Sequence, residues 1–134
     1  MAGEEYEKIL QNASLVYDMY AVHNNGMDNI IVNLEKVNNS QLAILDLDQM
    51  FTQQMPVLKN SFENMGYTNL QFEIGEVTIG GKNFKTLFTD GEIAGYHIAQ
   101  ANIAIKCDGY LACIAVTCFD AATLQSILNS FYLL

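Results

Sequence analysis

The chain has 134 residues, 51% of them hydrophobic, with a single proline; this suits one domain, residues 1–134, with a sizeable core, and excludes a disordered chain. Fifteen acidic residues against six basic ones give a net charge of −9, which disfavours nucleic acid and anionic membrane surfaces as partners, because phosphates would be repelled. The apolar runs are short, and none approaches the ~20 residues of a membrane span.

In chain order, Glu4 to Asn12 reads as a short amphipathic helix, with Tyr6, Ile9, Leu10 and Ala13 at i, i+3, i+4 and i+7. A first hairpin follows. Leu15, Tyr17, Met19 and Ala21 alternate on one arm, and Ile30, Val32 and Leu34 on the other, around Asn25-Gly26. That turn predicts the pairs Ala21–Ile30, Met19–Val32 and Tyr17–Leu34. Asn38-Asn39-Ser40 reads as a loop. Ala43 to Met65 holds the main helix, with Asp46 and Gln49 as a capping box and Gly66 as the residue that ends it. Pro56 should kink this helix or split it near Gln54–Met55, and a kink is favoured because the apolar stripe Leu47, Phe51, Met55 (or Gln54), Leu58, Phe62, Met65 stays in phase.

Leu70 to Ile79 reads as a strand whose alternation slips at Gly75, suggesting a β-bulge. Gly80-Gly81 turns the chain into a strand from Lys82 to Asp90, with Phe84, Thr86 and Phe88 on one face. Residues 90–95 read as a looser turn region. The strongest pattern is the hairpin from Gly95 to Phe119. A two-residue Asp108-Gly109 loop, a dipeptide that tolerates the two positive φ angles of a type I′ turn, places Cys107 opposite Tyr110, Ile105 opposite Ala112 and Ile103 opposite Ile114, so the apolar sets share one face. The other face, Asn102, Ala104 and Lys106 against Leu111, Cys113 and Ala115, is mixed. Asp120 to Leu134 is a helix capped by Asp120, with Ala121, Leu124, Ile127, Leu128 and Phe131 as its buried stripe.

The order helix, two strands, helix, four strands, helix gives an α+β fold. Apolar residues on both sheet faces predict a three-layer α/β/α sandwich around a mainly antiparallel six-stranded sheet.

Three cysteines cannot form a complete disulfide set and read as free, mostly buried thiols. Free thiols usually point to a reducing compartment, although an anaerobic extracellular setting would also allow them. No secretion signal is visible, and Met1-Ala2-Gly3 before Glu4-Glu5 reads as an artificial start or a trimmed mature end. His23 and His97 have no second ligand at metal spacing. Asp46-Leu47-Asp48 lacks the later ligands of a calcium loop. Gly80-Gly81-Lys82 has the wrong spacing for a phosphate loop. There is no GxSxG elbow. No catalytic, cofactor-binding or metal-ligating residue is assigned, and an enzyme is not expected.

The pattern resembles the PsbP-like family. The resemblance rests on Val16-Tyr17-Asp18-Met19-Tyr20-Ala21, the strand Asn29 to Leu34, the stretch Leu58 to Tyr67, Glu76 to Lys82, Asp108-Gly109-Tyr110-Leu111 and Ile127 to Phe131. That family includes an extrinsic photosystem II subunit, a Ran-binding import factor and many small bacterial lipoproteins of unknown role. It implies the same sandwich, and it has no shared catalytic residues to carry over.

The function expected is a non-enzymatic binding or accessory domain of a bacterial cell-surface or secreted protein, acting through a protein contact at Tyr20, Tyr96 and His97. A cytoplasmic location is the alternative. The second functional reading is a small-molecule pocket between sheet and helix lined by Met50, Phe51 and Tyr110, for which a cavity above about 300 Å³ would count. An enzyme would need His97 within reach of Asp90 or Glu92.

Overall fold

The computed structural model describes residues 15–22 and 28–132. The predicted helix over 4–12, the Asn25-Gly26 turn and His23 lie outside the described residues. The elements are β1 (Leu15–Val22), β2 (Asn29–Lys36), α1 (Asn39–Ile44), α2 (Leu47–Asn64), β3 (Thr68–Ile79), β4 (Lys82–Ile93), β5 (Tyr96–Cys107), β6 (Tyr110–Cys118) and α3 (Ala121–Ser130). The six strands form one antiparallel sheet in the order β1-β2-β6-β5-β4-β3. With the three helices of the described residues, the fold is mixed α+β.

The β5–β6 hairpin pairs as the alternation requires: Cys107 faces Tyr110, Ile105 faces Ala112 and Ile103 faces Ile114. Its tip is not a type I′ turn, because only Gly109 takes positive φ (74°) and Asp108 does not. Asn39 holds the tip instead. Its Nδ2 donates to Asp108 Oδ1 at 2.7 Å, and the Gly109 amide donates to its Oδ1 at 2.7 Å. The pair of positive φ values that a type I′ turn demands occurs at Gly80-Gly81 (59° and 79°) and again at Ala94-Gly95 (51° and 81°). The expected loose turn over residues 90–95 is therefore corrected. β4 runs on to Ile93, and Gly91 is a buried strand residue.

In the first ribbon Ala21 pairs with Ile30 and Met19 with Val32 as expected, but Tyr17 pairs with Asn33 rather than Leu34, because the register shifts between Tyr17 and Met19. An irregularity there adds a residue to β1 that simple alternation cannot show.

The slip at Gly75 is not a bulge. Register runs unbroken through Ile74–Leu87, Gly75–Thr86 and Glu76–Lys85, and the irregularity lies nearer the strand start, between Thr68 and Gln71. The alternation changes because the two halves of β3 bury different faces. Phe72 and Ile74 join a cluster with Phe51, Leu87, Ala104 and Leu111. Val77 and Ile79 join another with Ile103, Val116, Leu124 and Leu128. Neighbours along a strand point to opposite faces, and Ile103 and Ala104 duly belong to different clusters. Gly75 has a different reason to be small. A Cβ there would stand 3.0 Å from Phe88 Cε2.

The Asn38-Asn39-Ser40 loop is corrected too. Asn38 caps α1, its Oδ1 accepting from the Ser40 amide at 2.9 Å. Ala43 and Ile44 belong to α1, and the main helix starts after Asp46, whose Oδ1 accepts from the Gln49 amide at 3.2 Å. Lys106 Nζ donates to Leu45 O at 2.6 Å, so the mixed face of the hairpin is where α1 docks. Pro56 lies inside an uninterrupted α2. At its end Gly66 (φ 100°) closes a Schellman motif: the Gly66 amide donates to Glu63 O and the Tyr67 amide to Phe62 O, both at 3.0 Å. The Phe62 and Tyr67 rings, 5.1 Å apart, supply the apolar contact that goes with this motif.

Candidate functional site

Tyr20 sits on edge strand β1. Its row across the sheet runs Tyr20, Ile31, Ala115, Asn102, Leu87, Ile74. At Leu87 the row is completely buried in the Phe51 cluster, while at the β1 end Tyr20 is 55% exposed and Val22 43%. Tyr96 and His97 open β5. Tyr96 is 57% exposed and meets the Phe119 ring edge-on, with centroids 5.8 Å apart. The structure keeps Tyr96 and His97 adjacent and leaves Tyr20 apart. Tyr20 lies level with Asn102, about 20 Å along the strand from Tyr96 and about 14 Å across the three intervening ladders. The three residues do not form one patch.

His97 Nε2 lies 3.0 Å from Asp90 Oδ1, and His97 faces Glu92 across the β4–β5 ladder. Glu92 accepts from Asn69 Nδ2 at 3.0 Å, and Asn69 itself is held at φ 53°. These side chains line an open groove of about 350 Å³ with Gln71 and Gly91. Asp120, the cap of α3, stands close enough to feel His97. Its carboxyl lies below the usual range, chiefly because the Thr123 hydroxyl and amide hydrogen-bond it, with His97 contributing less. The arrangement is a solvent-facing histidine–carboxylate pair. Among the described residues no group of three or more His, Cys, Asp or Glu side chains is placed to hold a metal ion.

The pocket expected at Met50, Phe51 and Tyr110 is not assembled. Phe51 is buried in a packed cluster with Leu111. Tyr110 follows the parity of Ala112 and Ile114, which face the other cluster. The parity of β6 was readable in the sequence, but which helix covers which face was not.

Three features lay beyond the sequence reading. An open apolar groove of about 550 Å³ runs between α3 and the β1–β2 end, lined by Ala21, Val22, Ile30, Thr123 and Ile127, with Asp28 and Asn29 at its polar end. A second groove of about 320 Å³ lies under α3, with Glu73, Asp90 and Gln125 around a floor of Phe88, Ala99 and Leu124. A small cavity of about 20 Å³ lies at the end of α2. Their lining residues come from three or more separate segments, so no local motif announces them. Among the described residues no helix is long and apolar enough to cross a membrane.

No protein-family model matches the chain, and no curated protein matches it.

Proposed function

We propose that this chain is a non-enzymatic binding or accessory domain that holds a partner protein at the β1–β2 end of its sheet. The observation that carries the reading is the exposure of Tyr20 (55%) and Val22 (43%) at the β1 end of rows that reach buried Leu87 (0%) and Thr89 (5%) on β4. A tyrosine with an apolar body and a polar tip suits a protein contact. The apolar groove lined by Ile30 and Ile127 meets the same end from the other side and shares Val22 with it, so a partner clasping the end would bury both. In this reading Tyr96 and His97 form a second, separate contact. The two clusters are read as the seams of a three-layer α/β/α sandwich, and the chain as a PsbP-like domain from a bacterial surface or secreted protein.

The test is a photo-cross-linking residue at position 20, in the native host, against the same residue at exposed Gln53 on α2. A discrete protein adduct at position 20 and none at 53 is the expected result. Equal labelling at both positions, or none, overturns it.

The second reading, a small-molecule binder, is favoured by the volume of the 550 Å³ groove and its apolar lining. A fragment screen by NMR would then move the Ile30 and Ile127 methyl signals together.

A further inference from the structure

Thr89 on β4 is 5% exposed, and its Oγ1 is buried with no hydrogen-bond partner among the described residues. An unpartnered buried hydroxyl carries a desolvation cost that folded proteins rarely leave standing. Thr86, its buried neighbour on the same strand, is satisfied: its Oγ1 donates to Phe84 O at 3.0 Å. Thr89 lines the cavity of about 20 Å³ at the end of α2, together with Phe62, Tyr67, Leu70, Gln100 and Thr117. A space of roughly 10–15 Å³ on this measure admits one water, and a bound water needs two to four polar partners.

The partners are present. Gln100 Nε2 donates to Thr117 Oγ1 at 2.9 Å, and Asn102 Nδ2 donates to Gln100 Oε1 at 3.2 Å. The Thr117 hydroxyl accepts in this chain and keeps its own proton to donate, and Gln100 Oε1 keeps a second lone pair. Thr89 Oγ1 brings a donor and an acceptor. We propose that this cavity is a binding site for a single structural water, held by Thr89, Thr117 and Gln100. The water links the side-chain chain Asn102–Gln100–Thr117 of β5 and β6 to Thr89 on β4, in a cavity also lined by the Phe62–Tyr67 pair that closes α2. Among the described residues no carboxylate, amine or imidazole lines the cavity, so its occupant is neutral, and its volume excludes anything much larger than water.

Thr89→Val separates a wet site from a dry one. If the hydroxyl stood unpartnered, a methyl in its place would relieve the cost and raise Tm. With a water bound, the substitution removes one of its partners, and Tm falls by on the order of 4 °C. A crystal structure at high resolution is the second measurement. Density for a water within hydrogen-bond distance of Thr89 Oγ1 and of Thr117 or Gln100 is expected, and it should be absent in Thr89→Val. A Tm unchanged or raised, an empty cavity, or a Thr89 hydroxyl bonded directly to the protein overturns the proposal.

Discussion

Gly91 shows what one missing methyl group does here. A Cβ at this position would stand 2.8 Å from Leu70 Cδ2 and 3.5 Å from Thr68 O and Tyr67 Cδ1. The β3 start, with its shifted register and its left-handed Asn69, comes down onto β4 at this glycine. Gly91→Ala pushes Leu70 aside and should cost about 1–2 kcal/mol, read as a lower denaturant midpoint at unchanged slope. The cysteines give a second prediction at this scale. Burial, with Asp28 and Asp120 adding to it, pushes the Cys118 thiol up to about 11 from its ordinary 9.0. Burial, then Glu35, raises Cys113. Cys107 is exposed. One thiol per chain should react promptly with a disulfide reagent at neutral pH, and all three only after unfolding. A thiol pKa raised in the folded state means the native protein holds the proton longer than the unfolded chain. The contribution of Cys118 is complete below pH 9.0 and is lost as pH rises through about 11. The denaturant midpoint should fall between those values in the native protein and fall less in Cys118→Ala.

Among the elements, the hairpin tip depends on a residue from a different element. Asn39 spends both ends of its amide on Asp108 and Gly109, and the Val37 amide adds a bond to Gly109 O at 3.0 Å. Asn39→Ala removes both side-chain bonds and should cost about 1–2 kcal/mol, with faster amide exchange at Gly109 and little change at Ile103 or Ile114. This tie also explains what the sequence could and could not reveal. Pairing within β5–β6 follows from the alternation of Ile103, Ile105, Ala112 and Ile114, which is a local property. The turn geometry is invisible to any local pattern because its determinant lies 69 residues away. Asn38 did carry a legible signal, an amide side chain ahead of a Ser, but two asparagines in a row read equally well as loop. The two candidate contact regions were legible as residues and not as places. Tyr96 and His97 adjoin in the chain, whereas the distance from either to Tyr20 is fixed by ladder order, which no local pattern encodes.

For the whole molecule, the physical question is whether the two clusters unfold together. They share no buried side chain, but they share strands β4, β5 and β6. Ile103 and Ala104 are consecutive on β5, and Cys113 and Ile114 on β6, so neither cluster can come apart while the ladder supporting the other stays in register. Lys85 adds a polar tie on the Phe51 side. It sits opposite Glu76 on β3, reaches Asp48 in the first turn of α2 at 3.3 Å, and its pKa is raised chiefly by that hydrogen bond. Leu87 and Ile103 are both fully buried, one in each cluster. Leu87→Ala and Ile103→Ala should each cost roughly 2–5 kcal/mol, and each should lower the same single transition, seen identically by far-ultraviolet circular dichroism and by tyrosine fluorescence. Two resolved transitions, with one variant moving only the first, would show that the sheet does not couple its faces. Tyr20→Asp belongs to the same experiment as its control. At 55% exposure the side chain gives up little burial in the isolated domain, so its midpoint should stay within about 0.5 kcal/mol of the parent. A loss as large as that of Leu87→Ala would place Tyr20 in the core and remove the surface on which the binding role rests.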